Sequence, residues 1–131
     1  MDNKLYYVWE KGEQFQLGTH FSSKEFECKC DLKGCKKQHI SKDLIVKLDR
    51  TRTKLKTPLV ITSGYRCEEH NKAIGGAKHS QHPKGNAADV RARHMNKLYN
   101  LLELEFKAIG DARDSFIHID VRNNKKRRWT Y

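Results

Sequence analysis

The sequence predicts a small α+β domain, a mainly antiparallel sheet with flanking helices. Three observations carry this reading. The chain has 131 residues, the size of one domain, so 1–131 is read as a single unit. Apolar residues recur at helical spacing in some segments and in β-branched or alternating runs in others. The resulting order of helix, strand, helix, strand, helix, strand has connections too irregular for repeated βαβ units, which disfavours a parallel sheet.

Residues 1–20 carry aromatic clusters around Tyr6, Tyr7, Trp9 and Phe15, and the pattern leaves open an edge strand or an ordered N-terminal arm. Residues 21–40 are Cys-rich and irregular. Residues 41–55 read as a helix, with Ser41 as N-cap, Asp43 in the first turn, and Leu44, Ile45, Leu48 and Leu55 on one face. Pro58 ends that segment. Leu59–Thr62 is a short β-branched run, a buried strand. Cys67–Ile74 predicts a short helix stopped by Gly75 and Gly76. His79–Asn86 is a loop, because Pro83 and Gly85 break regular structure. Ala87–Arg91 reads as a strand. Met95, Leu98, Leu102, Phe106 and Ile109 recur at helical spacing, with Gly110 as the cap. Phe116–Val121 alternates bulky apolar and polar residues, a strand.

Lys plus Arg number 27 and Asp plus Glu 16, a net charge of +11 with an isoelectric point near 9.6. Such a surface attracts anionic partners such as nucleic acid, lipid or an acidic wall polymer, or serves solubility alone. The one dense run, Lys125–Arg128, sits in no helix-turn-helix, zinc-finger or RNA-binding pattern, so no nucleic-acid partner is expected. Trp129 is expected to pack and close the fold. No apolar run is long enough to span a bilayer, so no membrane insertion is expected. Met1 to Gly18 lacks the basic start and apolar stretch of a secretory signal.

Two segments concentrate chemistry, SQHPKGNAADV at 80–90 and FIHIDVR at 116–122. His82 lies on the Gly/Pro loop, Asp89 on the strand that follows, and His118 and Asp120 at i and i+2 on one strand face. Two imidazoles and a carboxylate suit a catalytic zinc with one open position. Such an ion polarises a carbonyl and lowers the pKa of its bound water, which serves amide or ester hydrolysis. The alternative is a solvated surface set, since the chain has seven histidines.

SGYRCEEHN at 63–71, GGAKHSQHPKGNAADV at 75–90, and FIHIDVR with the closing RRWTY together resemble the D-alanyl-D-alanine metallopeptidases. These are the VanY-like zinc carboxypeptidases and phage endolysin peptidases, which share the lysostaphin- and hedgehog-type zinc fold. The pattern S-x-H-x-x-G-x-A-x-D is matched by Ser80, His82, Gly85, Ala87 and Asp89, and the resemblance runs from about Phe21 to Tyr131. It implies zinc on His82, Asp89 and His118 with water as fourth ligand, and cleavage of peptide bonds in the peptidoglycan stem. It also implies that Arg66 clamps a substrate carboxylate or scissile carbonyl, for which a guanidinium is the bidentate partner. The competing role for Arg66 is an internal salt bridge that holds the SGYR turn. Ser80 is a substrate-binding residue or a loop hydrogen-bonding group.

The general base departs from the family pattern. Many members carry Glu or Asp three residues before the last ligand, where this chain has Ser115. Asp120 is the first choice, against an orienting or Arg122-pairing role, and His79 is a further candidate. Cys28, Cys30, Cys35 and Cys67 form no CxxC pair. They leave three readings: a second, structural zinc on four Cys or on three with His39; reduced packed thiols; or disulfides.

The leading function is therefore zinc-dependent hydrolysis of peptidoglycan stem peptides, by an endolysin-type endopeptidase or a D-Ala-D-Ala carboxypeptidase. A monomer is expected, and the absence of a secretory signal leads to the expectation that it is held in the host or bacterial cytoplasm until release to the wall or periplasm. The alternative is a non-catalytic zinc-bearing binding module of the same fold.

Overall fold

The computed structural model describes residues 4–131. Its main sheet has five strands in the order β5-β6-β8-β7-β9. These are β5 (Val60–Ser63), β6 (Ala87–Arg91), β7 (Ala108–Ala112), β8 (Phe116–Asp120) and β9 (Arg127–Thr130). All pairings are antiparallel except β7 with β9. Two small antiparallel sheets lie in the N-terminal third. One pairs β1 (Tyr6–Glu10) with β4 (Lys37–Ser41), the other β2 (Gln16–Leu17) with β3 (Phe21–Ser22). Three helices complete the domain: α1 (Lys42–Leu55), α2 (Glu68–Ala73) and α3 (Met95–Glu105). The α+β prediction and its mainly antiparallel sheet are what the chain adopts.

Helix α1 starts where the cap chemistry places it. The Ser41 side chain accepts from Leu44 N–H at 3.2 Å, and Asp43 lies in the first turn. Its buried face is Leu44, Ile45, Leu48, Thr51 and Leu55, and it ends on Lys56 at φ 63°. Leu98 and Leu102 of α3 join the same apolar cluster as these residues, and Arg50 pairs with Glu105 at 3.0 Å to link the two helices. From the sheet, Ala88, Val90, Ile109, Ile117 and Ile119 enter that cluster. Their alternation leaves the opposite sheet face to polar side chains.

The structure departs from or sharpens three expectations. The helix expected to run to Ile109 stops at Glu105, and Ile109 and Gly110 belong to β7. Phe106 already has extended backbone (φ −115°, ψ 136°) and is buried; Phe106 and Ile109 are three apart, a spacing that suits a helix or a turn into a strand equally. The open choice over the N-terminal segment resolves to a strand, β1, whose partner β4 lies inside the stretch read as irregular; positions 1–3 of that segment lie outside the described residues. The closing RRWT is itself a strand, paired parallel to β7.

Candidate active site

One row of residues crosses the main sheet. Ser63 pairs with Asp89, Asp89 with His118, His118 with Gly110, and Gly110 with Trp129. Directly opposed residues on neighbouring strands bring their side chains together on one face. Asp89 Oδ1 thus meets His118 Nδ1 at 2.9 Å. His82 arrives from the loop between α2 and β6, and its Nε2 lies 3.3 Å from the same Asp89 oxygen. The three potential ligand atoms lie within 4.8 Å of one another.

The His82 loop is held by its own hydrogen bonds. Ser80 Oγ accepts from His82 N–H at 3.2 Å, and Gly85 N–H donates to His82 O at 3.1 Å. Gly85 has φ +73°, and a Cβ there would stand 2.4 Å from the His39 ring, so both the backbone and the close approach require glycine. Gly110 plays the second such part. The Trp129 indole lies against it, 2.5 Å from where a Cβ would be, and its ring sits 5.4 Å from that of His118.

The remaining imidazole nitrogens are also engaged. His82 Nδ1 is 2.8 Å from the Gly64 carbonyl and His118 Nε2 is 2.8 Å from Asp120 Oδ2. A metal-ligating imidazole ordinarily donates its far N–H to such a carbonyl or carboxylate. If those N–H groups point outward, His82 Nε2, His118 Nδ1 and Asp89 would offer three acceptor atoms to a shared cation. This donor set fits a divalent cation such as zinc.

Burial alone would raise the Asp89 carboxyl, but hydrogen bonds and charge from His118 and His82 hold it well below the usual carboxylate range. Burial opposes charge on His118, yet its hydrogen bonds to Asp120 and Asp89 raise it. Asp120 is likewise pushed up by burial and pulled down more strongly by Arg122 and His118, to about 2.

Asp120 is fully engaged by its neighbours. Its side chain is 0% exposed and both oxygens are occupied, Oδ1 by Arg122 Nε at 2.8 Å and Oδ2 by Arg122 Nη2 at 2.6 Å and by His118. It sits on the far side of the His118 ring from Asp89 and does not line the cleft, which is a correction to its choice as base. Arg66 lines the cleft but is largely tied down. It donates to Asn71 Oδ1 at 2.8 Å, to Ser63 Oγ at 3.2 and 3.3 Å, and to Asp89 Oδ2 at 3.5 Å. Of five guanidinium N–H donors, these contacts use four.

The cleft above the row has a volume of about 580 Å³. Phe116, Trp129 and Tyr131 give it an aromatic wall, and Arg66, Lys78, Arg122 and Arg127 give it positive charge. His79 and Ser80 line its lip. The aromatic wall is not evident from the sequence, where RRWTY reads as a closing segment and as part of the family resemblance; the glycine opposite Trp129 is the one hint, and its spacing suits a helix cap. Asp114 and Ser115, the positions nearest the family's usual base, are exposed and do not line the cleft.

The four cysteines are free thiols gathered in a second cluster. His39 is not part of it, which corrects the three-Cys-plus-His39 alternative. Its ring packs between Tyr6 and Tyr65, at centroid distances of 5.6 and 4.6 Å.

Residues 19–120 match the family model described as Peptidase M15. That is most of the chain, so the chain belongs to the Peptidase M15 family, and its class is that of the metallopeptidases. The resemblance read from the sequence was to this family. The matched range contains His82, Asp89 and His118 and ends before Trp129 and Tyr131. Comparison with curated proteins returns no match.

Proposed function

We propose that this chain is a zinc-dependent peptidase that cleaves stem peptides of bacterial peptidoglycan, with the endopeptidase mode favoured over D-Ala-D-Ala carboxypeptidase action. The observation that carries the reading is the convergence of His82, Asp89 and His118 on the cleft floor, with both far imidazole nitrogens already hydrogen-bonded. Zinc held there would supply Lewis acidity toward a scissile carbonyl and an activated water.

The chain's own residues do the rest. Asp120 and the Gly64 carbonyl orient the two imidazoles, and Arg122 keeps Asp120 ionised. Arg66 fixes Asp89 Oδ2 and keeps one N–H for a substrate oxygen, a carbonyl or terminal carboxylate. The aromatic wall covers the peptide backbone and excludes water. His79 is the uncommitted imidazole at the cleft lip among the described residues, and it takes the base role by accepting a proton there. The positive cleft and the net charge of +11 retain the enzyme on an anionic wall. Residence in the cytoplasm before release to the wall, and action as a monomer, complete the proposal.

The test is turbidity loss of purified cell walls, with mass spectrometry of released fragments, on zinc-loaded and chelator-stripped protein. Metal-dependent release is expected, and fragment masses name the bond. His79→Ala should lower kcat by ~10²–10⁴-fold with zinc retained, the usual worth of a general base. The cleft holds no carboxylate besides Asp89 among the described residues, which is what favours the second reading, a zinc-bearing binding module. Wall binding without any fragment release, zinc still bound, would establish that reading instead.

A further inference from the structure

Four thiols lie outside the chemistry of the cleft. Cys28, Cys30 and Cys35 belong to the segment between the 3-10 turn Ser23–Phe26 and β4, and Cys67 is the N-cap of α2. Their sulfurs all lie within 4.8 Å of one another, although Cys67 is 32 positions beyond Cys35 in the chain. Cys67 Sγ stands 3.8 Å from both Cys28 Sγ and Cys30 Sγ. A disulfide needs ~2.05 Å. A tetrahedron with zinc–sulfur bonds of ~2.3 Å has sulfur–sulfur edges of about 3.8 Å.

The hydrogen-bond donors around the sulfurs are those that would stabilise metal-bound thiolates. Each sulfur receives one N–H donor: Cys28 from Cys67 N–H at 3.3 Å, Cys67 from His70 N–H at 3.4 Å, Cys35 from Gln38 Nε2 at 3.5 Å, and Cys30 from Lys11 Nζ at 3.7 Å. Neutral packed thiols would need no such set, whereas anionic sulfur is stabilised by it. Gln38 is fully buried, and its Oε1 accepts from Cys28 N–H at 2.7 Å, so one side chain braces two corners of the cluster.

We propose that Cys28, Cys30, Cys35 and Cys67 bind one structural zinc ion as a closed tetrathiolate site. Binding converts four thiols to thiolates, releases their protons to solvent, and leaves a site of net charge −2 that Lys11 partly offsets. The ion ties the 27–36 loop to the Gly64–Cys67 turn. That turn carries the carbonyl that orients His82 Nδ1, and its Arg66 N–H donates to His82 O at 3.4 Å. The site is thus a brace for the cleft, and it stands whether or not the cleft is catalytic.

The experiment is metal analysis of the full-length protein and of the His82→Ala/His118→Ala variant, each with titration of native thiols. Two zinc ions per chain are expected in the first and one in the second, with the thiols protected until denaturation. Cobalt loaded into the His variant should show sulfur-to-cobalt charge transfer in the near ultraviolet and intense red absorption from tetrahedral thiolate coordination. Cys28→Ser/Cys67→Ser should lose one zinc and keep the other. If that variant fails to fold, the His variant still decides the matter, since all four cysteines are intact there. A His variant free of zinc with four promptly reactive thiols, or a mass lowered by disulfide formation, overturns the proposal. Because that variant lacks the cleft ligands, failure of the peptidase reading would leave this result unchanged.

Discussion

His118 shows how much one side chain can depend on its neighbours. It lies between two carboxylates, Asp89 on one ring nitrogen and Asp120 on the other, and Arg122 neutralises the second. Asp120→Asn keeps the shape but can present an amide N–H to His118 Nε2, which disturbs the tautomer. Metal affinity should fall by ~10–100-fold, the usual cost of losing such an orienting partner, measured by competition with a zinc indicator. A large loss of rate with unchanged zinc affinity would return Asp120 to the base role. Gly110 is the second sensitive position. Gly110→Ala places a methyl group into the Trp129 indole and should destabilise the fold by about 1–3 kcal/mol, as overpacking does, measured by urea denaturation with tryptophan fluorescence reporting the displaced ring.

At the scale of elements, legibility follows the source of the signal. Helix α1 was readable to the residue because its cap, its apolar face and the proline after it are local chemistry. The carbonyl end of α1 carries a flaw, a lysine in left-handed backbone. Such a conformation costs an L-residue ~1–2 kcal/mol, and glycine returns part of that as entropy. Lys56→Gly should therefore raise stability by ~0.5–1 kcal/mol, while Ser41→Ala should lower it by ~1 kcal/mol, both read from shifts in the denaturation midpoint. The elements that escaped, β4, β7 and β9, are short strands whose residues have no strong period. Their state is set by partners: β4 by β1, β7 by β8, and β9 by β7. Propensity cannot report a neighbour that is distant in the chain.

At the scale of the molecule, the site is a product of sheet register. Asp89, His118, Gly110 and Trp129 come from four strands, and a one-residue slip of any of them would turn its side chain to the core. The apolar face beneath, Ala88, Ile109 and Ile119, prevents that slip. Metal binding should therefore be felt globally. A single zinc site at free zinc 100 times its Kd contributes about 2.7 kcal/mol, so chelation should lower Tm by on the order of 10 °C for a chain of this size. Scanning calorimetry with and without chelator checks this, and an unchanged Tm would mean that neither site is filled under those conditions. Among the described residues no helix is long and apolar enough to cross a membrane.

The sequence by itself determined the α+β class, the capped first helix and the loop that carries His82, because each rests on local spacing and on residue types with few uses; His82, Asp89 and His118 were grouped as one set through the family resemblance. It also placed the chain in its family through five residues in ten positions. Only the tertiary structure decided that Asp120 stands behind His118, that Arg66 is spent largely on Ser63, Asn71 and Asp89, that Trp129 packs beside the His118 ring, and that Cys67 joins three cysteines more than thirty residues away. Those are facts of strand pairing and close approach. They depend on which surfaces the buried core brings face to face, and no window along the chain contains both partners.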